Sequence, residues 1–246
     1  DTVIHLAGPD AAFSDSNPKA SYDISTKGFY NLLLACHNNQ VSNLIYFSSV
    51  HVYGSPLEGN LSEKNQVKPS SQYGINKASA EQTLINFKSK PNFLILRLSN
   101  GLGYPISQDT NILRLASNDF AIQAIATGKI VIKSHPEIKR DYLSVDDICR
   151  VTKRLLDNKD FFTNDILNLS SGTSTTLIDL ARMIKQEVEV LFDEHIEIEY
   201  KQSTDDILPI KLTIDNNKIK DLLKFEPTDI RVELRKLLTN IKNSDL

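Results

Sequence analysis

Cysteine is scarce, long apolar runs are missing and neither sign of charge dominates; each shortage removes a class of function. Two cysteines in 246 residues, Cys36 and Cys149, make neither a disulfide framework nor a thiolate metal motif. That suits a reducing setting such as the cytoplasm, and both are expected to be buried as small hydrophobes. The longest apolar stretches, such as "FYNLLLAC" ending at Cys36, fall far short of the roughly 20 residues that span a bilayer. With 28 basic against 31 acidic side chains the formal net charge is −3. No electrostatic footprint therefore points to nucleic acid or an anionic membrane as partner. No internal repeat, low-complexity tract or clear linker interrupts the chain. It opens without methionine on "DTVIHLAG", a strand with no leading loop, so an upstream segment is expected to be missing.

What is present alternates strand and helix. "TVIHLAG", "NLIYFSSV" and "NFLILRLSN" read as short apolar strands rich in β-branched and aromatic residues. An irregular stretch around Asn17-Pro18 and a helical segment, "SYDISTKGFYNLLLACHNN", separate the first two. A polar loop from Gly54 to Gln72 and a helix bearing Tyr73 and Lys77 separate the second and third. Such an order argues for a parallel sheet covered on both faces. Further on, "DILNLSSG" reads as another buried strand. Thr176 and Asp179 then form a capping box, and Leu177, Leu180, Ala181, Ile184, Val188 and Leu191 recur at helical spacing. "HIEIEY" alternates as a half-exposed strand, and "DNNKIKDLLKFEP" is a short capped helix that stops before Pro227.

Tyr73 and Lys77 lie one above the other on their helix. Ser49 closes the second strand at the carboxyl edge, where open α/β sheets bind ligands, one loop away from Tyr73. Serine, tyrosine and lysine together suit hydride transfer at a carbinol or carbonyl. A tyrosine with a pKa of about 10 needs roughly 4 kcal/mol of help to act as a base near neutrality. An ammonium ~4 Å away supplies ~4 kcal/mol at an effective dielectric of ~20. Taken singly, Ser48-Ser49 reads as a turn and the Tyr–Lys pair as two residues on one surface. His51 reads as a packing or loop histidine and is left out of the chemistry.

"HLAG", "YFSSVHVYG", "YGINKASAE", "RLSNGLGYP", "KRDYLSVDDIC" and "NLSSGTSTTLIDLA", in that order, resemble the extended short-chain dehydrogenases that act on nucleotide sugars, along nearly the whole chain. The resemblance implies an α/β fold: a Rossmann-type parallel sheet with its N-terminal strands missing, and a small C-terminal α+β lobe. Residues 1–103 would form the partial NAD(P)-binding domain with the catalytic residues. Residues 104–246 would be mainly the substrate lobe, with about 140–170 returning to the first domain. By the same likeness Ser49, Tyr73 and Lys77 match the catalytic hydroxyl, the acid/base tyrosine and its supporting lysine. Leu6, Ala7 and Gly8 match the turn along NAD or NADP, joined there by Ser48, Tyr73 and Lys77. Asn100 and Asn111 fall on the substrate side. Arg140 matches an arginine on the diphosphate of a nucleotide-diphospho-sugar, a task suited to its fork of donors, rather than a partner of Asp141 or Asp146. "KIVI", residues 129 to 132, resembles the strand beside the nucleotide base. A homodimer is implied through the helix near residues 20 to 38 and the one carrying Tyr73; no metal is.

Three departures stand out. The family's opening strand, glycine-rich phosphate turn and following strand, roughly 60 residues in all, do not precede Asp1, so residues 1 to 246 alone are expected to bind NAD(P) poorly and to be inactive. Ser25-Thr26-Lys27-Gly28 stands where the family more often shows Asn-Val-x-Gly. "QSTDD" replaces a late arginine-bearing segment. Nucleotide-sugar 4,6-dehydratases follow the catalytic hydroxyl with Asp-Glu; here Val50 and His51 follow Ser49, which leaves a 4-epimerase, with a 4-keto-6-deoxysugar reductase as the alternative. A member that keeps the scaffold only to bind a ligand is the reading from another class.

Overall fold

A computed structural model describes residues 1–105, 115–200 and 211–244. The chain starts with β1 (Thr2–His5), two short helices, α1 (Ala11–Ser16) and α2 (Pro18–Tyr22), a π-helical turn over Asp23–Gly28, and α3 (Phe29–Asn38). Next come β2 (Asn43–Ser49), a 3-10 turn over Val50–Tyr53, β3 (Gly59–Leu61), α4 (Gln72–Asn86), β4 (Asn92–Leu98) and β5 (Asn100–Leu102). Then follow α5 (Ala116–Thr127), β6 (Lys129–Ile132), β7 (Lys139–Ser144), α6 (Val145–Asp157), β8 (Asp165–Leu169) and β9 (Ser174–Thr176). The last elements are α7 (Leu177–Phe192), β10 (Glu197–Tyr200), β11 (Leu212–Ile214), α8 (Asn217–Leu223) and α9 (Ile230–Asn243).

The main sheet is parallel throughout, in the order β1-β2-β4-β8. Side chains alternate across a strand, and β2 is apolar throughout Leu44–Phe47 and β4 throughout Phe93–Leu96, so both faces must be covered. Leu44, Tyr46, Phe93 and Ile95 pack under α3 and α4 against Phe29, Leu33, Ala80 and Leu84. Ile45, Phe47, Leu94 and Leu96 face the other way, onto Val151 and Leu155 of α6 and Ile219 and Leu223 of α8. Each fully buried Leu or Phe contributes roughly 1.5–3 kcal/mol, so these two layers fix the position of everything mounted on the strand ends.

The second core belongs to the C-terminal part. α5, α7 and α9 pack together around Phe120, Leu180, Ile184, Leu234 and Leu238, with Ile130 of β6 beneath them. Small sheets frame it: β5-β7-β9, and β10 parallel to β6. The chain re-enters the main sheet at β8, which pairs with β4. β11 returns further still, to pair with β3.

Several expectations change here. The stretch around Pro18 is helical: Asp10 accepts from Phe13 N at 2.8 Å to cap α1, and Pro18 takes the first position of α2, where a missing N–H costs nothing. The loop from Gly54 to Gln72 contains β3. Cys149 is exposed and only Cys36 is buried, because α6 turns Asp147, Val151 and Leu155 inward and Cys149 lies on its opposite side. Leu191 is exposed, its place beside the lobe core being taken by Phe192. The segment "QSTDD" lies outside the described residues. Among the described residues no helix is long and apolar enough to cross a membrane.

A buried polar string ties the layers together. The Glu81 carboxylate on α4 accepts from Ser48 Oγ at 2.6 Å, and from Arg97 Nε at 3.0 Å and Nη2 at 2.7 Å. Arg97 Nη1 donates to Tyr53 Oη at 3.0 Å, and Tyr53 donates to Asn168 Oδ1 at 2.7 Å. Glu81 and Arg97 are 1% and 3% exposed, so removing either partner strands a charge. Arg97→Met is expected to cost about 3–5 kcal/mol, whereas replacing both residues with Met should cost much less. Urea unfolding of the two variants checks this; a small loss in the single variant would mean that water reaches Glu81.

Candidate active site

The site begins where β2 ends. Ser48 and Ser49 point to opposite sides of the strand: Ser48 turns under α4 to Glu81, and Ser49 turns toward Tyr73. Ser49 Oγ accepts the backbone N–H of His51 at 3.3 Å, which starts the 3-10 turn. α4 is capped by Ser71, whose Oγ accepts from Gly74 N at 3.2 Å. Its first turn rides against that 3-10 turn so closely that a Cβ on Gly74 would lie 2.6 Å from the His51 carbonyl oxygen. Only glycine allows the approach, and it delivers the neighbouring Tyr73 to Ser49, with which its hydroxyl shares a hydrogen bond. On the far side, Asn76 Nδ2 donates to Ser21 Oγ at 2.6 Å and Ser21 to Ser14 Oγ at 2.8 Å, locking α4 to α2 and α1.

Lys77, one turn along, donates to the Phe47 carbonyl at 2.8 Å, with its ammonium 5.8 Å from the Tyr73 ring centroid. Burial lowers its pKa to about 8, against the opposing pull of Glu81 one turn further on. Burial likewise raises Tyr73 above its ordinary value, and the bond to Ser49 works the other way. The sequence reading expected lysine to bring tyrosine down. In the structure burial raises it instead, opposed only by the Ser49 hydrogen bond, and the ammonium lies beside the ring.

A cavity of about 480 Å³ opens in front of this group, lined by Asp10, Ser49, His51, Tyr73, Asn100 and Arg140 among others. Two further cavities adjoin it. One, of about 320 Å³, runs past His51, Pro56 and Lys139; the other, of about 240 Å³, runs past Phe120, Val131, Lys133 and Ser134. Asn100 and Arg140 line all three, so the three form one cleft between the main sheet and the second core. Asn100 donates to the Asp141 carbonyl at 2.9 Å. Arg140 has no ion-pair partner among the described residues, and its buried Nε has no hydrogen-bond partner there either. Asp141 is occupied by Ser171, whose N and Oγ each donate to it at 2.9 Å, and Asp146 takes Lys236 at 2.7 Å.

The structure thus brings together Ser49, Tyr73, Lys77, Asn100 and Arg140. The exposed turn Leu6–Gly8 lies alongside: a Cβ on Gly8 would stand 3.7 Å from Lys77 Nζ. Ser48 does not join them, since its hydroxyl is spent on Glu81. Asn111 lies outside the described residues. His51, set aside from the sequence, lines two of the cavities, and Lys133 and Ser134 enter the third. The only sequence signal for Lys133 and Ser134 is their place directly after the "KIVI" strand.

Residues 1–170 match the family described as "NAD dependent epimerase/dehydratase family". Among solved structures, a UDP-N-acetylglucosamine 4-epimerase from Methanobrevibacter ruminantium M1, in complex with UDP-N-acetylmuramic acid, is 25% identical, with a TM-score of 0.78 over 97% of this chain and 76% of that one. RMD from Pseudomonas aeruginosa complexed with NADPH is 22% identical, with a TM-score of 0.79 over 98% and 81%. A dTDP-glucose 4,6-dehydratase of Streptomyces niveus is 21% identical over 92% of this chain, which spans 65% of that enzyme's length.

Lys77 carries a testable sign. Its folded pKa of about 8 lies below the unfolded value of 10.5, so between those values the unfolded state binds more protons and stability rises with pH. Below pH 8 the cost of burying the ammonium is present in full. Lys77→Met is therefore expected to melt higher than the parent at pH 7 and to lose that advantage towards pH 10.5; equal melting shifts at both pH values would show that the ammonium is solvated. Gly74→Ala should destabilise the protein and displace Tyr73, read by melting and by a Tyr73 titration that returns toward its ordinary value relative to the parent.

Proposed function

The chain belongs to the NAD dependent epimerase/dehydratase family, and from that footing we propose that it is an NAD(P)-dependent nucleotide-sugar 4-epimerase. The observation that carries this reading is one cleft with the Ser49–Tyr73 pair on one wall and, on the other, Asn100 and an Arg140 that has no ion-pair partner among the described residues. A guanidinium whose buried Nε has no hydrogen-bond partner among the described residues calls for an anion, and a diphosphate meets its planar fork. Val50 and His51 after Ser49 favour epimerisation over the elimination of water.

The residues would divide the work as follows. Leu6, Ala7 and Gly8, exposed beside the Lys77 ammonium, would hold the nicotinamide end of the dinucleotide, which when bound supplies reversible hydride transfer. Tyr73 takes the proton of the sugar 4-hydroxyl and later gives it back. Ser49 holds the same oxygen in line. Lys77, charged below about pH 8, steadies the phenolate; its loss of charge above that value predicts falling activity on the alkaline side. Asn100 and Arg140 would keep the diphosphate fixed while leaving the sugar ring free to turn over in front of Tyr73. Exposed Tyr22, Ile24, Tyr30, Leu34 and Ile75 on and around α2–α4 support a homodimer through these helices.

In the full-length protein, Tyr73→Phe is expected to abolish turnover and leave nucleotide-sugar binding nearly intact, since the hydroxyl acts on the proton and adds little to ground-state binding. Parent-like turnover would remove Tyr73 from the chemistry. Arg140→Ala should weaken nucleoside-diphosphate binding about ten- to hundredfold, through the loss of a charge-assisted contact of roughly 1.5–3 kcal/mol; calorimetry giving an unchanged dissociation constant would refute the assignment. Product analysis separates the two redox outcomes: a 4-epimer identifies the epimerase, and net consumption of reduced dinucleotide identifies a ketoreductase.

A further inference from the structure

The cavity of about 320 Å³ beside the Ser49–Tyr73 cavity differs from its neighbours in charge. It crosses the start of β7, so three successive residues, Ile138, Lys139 and Arg140, line it. Its described lining includes two cations, Lys139 and Arg140, and no carboxylate, whereas Asp10 lines the Ser49–Tyr73 cavity and Asp119 the third. Lys139 is half-buried and makes neither an ion pair nor a side-chain hydrogen bond among the described residues. Elsewhere in the chain Lys129, Lys220 and Lys236 each hold a carboxylate. Here Asp141, two residues on, is held by Ser171, and Glu137, two residues back, makes no ion pair with the lysine.

The backbone that carries this lysine is pinned. Lys139 pairs with Thr176 of β9, and the Ile138 and Pro136 carbonyls accept from Leu177 N and Ile178 N at 3.0 Å each, at the head of α7. A lysine partly withdrawn from water without a partner is costly. The apolar Pro56, Leu57 and Ile138 around it lower the local dielectric, which strengthens any ion pair formed there.

We propose that this cavity is a carboxylate subsite, in which Lys139 binds an acid group carried by the hexose of the nucleotide sugar. The inference rests on the nucleotide-sugar reading above and deepens it by naming the substrate class. A pyranose held by its C4 oxygen at Tyr73 and by its C1 diphosphate at Arg140 lies along the first cavity. The adjoining cavity shares both ends of that line, His51 at one and Asn100 with Arg140 at the other. One edge of the ring, either C2–C3 or C5 with its C6 substituent, therefore faces Lys139. With Arg140 taken by the diphosphate, the second cation has no anion unless the sugar brings one. A neutral hydroxyl leaves the ammonium unanswered. A carboxylate at C6, or one borne on an ether at C3, meets it at the end of a flexible four-carbon stem.

The test measures preference, by calorimetry on the full-length protein. Titration with UDP, dTDP, GDP and CDP first fixes the nucleoside. The parent is then titrated with that nucleoside diphosphate joined to glucose and glucuronate, and to N-acetylglucosamine and N-acetylmuramate. In one of the two pairs the acidic sugar should bind at least ~10-fold more tightly than its neutral counterpart, the low end of what a charge-assisted hydrogen bond gives. Preference for glucuronate puts the acid at C6; preference for N-acetylmuramate puts it on C3. Lys139→Met, which keeps the length of the stem, should bring the preferred acid to within twofold of its neutral counterpart, and Lys139→Arg should keep the preference. Equal binding within both pairs by the parent overturns the proposal and leaves the epimerase reading, tested separately at Tyr73, standing. An equal loss by Lys139→Met on the bare nucleoside diphosphate also overturns it, by making the lysine a diphosphate ligand. A parent that binds none of the four nucleoside diphosphates overturns both readings.

Discussion

The buried pair of Glu81 and Arg97 is the constraint on which the active region depends. It is not there for cheap stability, because taking two ions out of water costs more than their attraction usually returns unless further hydrogen bonds complete the set. Here they do: Ser48, Tyr53 and Asn168 close the valences. The return is specificity of position. Glu81 sits on α4 one turn after Lys77, Arg97 on β4, Ser48 on β2 and Asn168 on β8, so one network sets the height of the helix over the three strands. A helix free to slide by part of a turn would carry Tyr73 away from Ser49.

From that fixed helix the rest of the cleft follows. Gly74 brings α4 down onto the 3-10 turn after β2, and the same turn aims His51 and Ser49 at one space. The opposite wall is made by strand ends of a different sheet, β5 and β7, which pair so that Asn100 and Arg140 stand close together. Asp141 next to Arg140 is drawn inward by Ser171, and Arg140 makes no ion pair among the described residues. The site thus lies at the junction of two separately packed cores.

Much of this was legible in the sequence, for identifiable reasons. Strands β2 and β4 announce themselves by the apolar runs Leu44–Phe47 and Phe93–Leu96, because a sheet covered on both faces needs them. α7 announces its start by the Thr176–Asp179 cap, and the pairing of Tyr73 with Lys77 follows from helical geometry alone. What stayed hidden depends on partners far apart in the chain. Ser48 could not be told from Ser49 without knowing that Glu81, 33 residues later, lies under one side of the strand. β3 is too short to read without β11, its partner from the end of the chain. α1 and α2 were masked by Pro18, which reads as a breaker unless it is seen at the first position of a helix. The Tyr73 pKa moved against expectation because the reckoning from spacing included the lysine and omitted the cost of burial.

The return of the chain at β8 has a consequence for synthesis. By the time residue 98 has left the ribosome, α4, β2 and β4 can assemble, and Glu81 can meet Arg97. The far edge of β4 and the last hydrogen-bond acceptor for Tyr53 wait for Asp165–Leu169, about 70 residues later. At roughly 5–20 residues per second that is an interval of about 4–14 s, during which an apolar strand edge stands unpaired. The lobe that comes to face the Ser49–Tyr73 wall is made within that interval, so the chain's most exposed moment falls while its own second core is being translated.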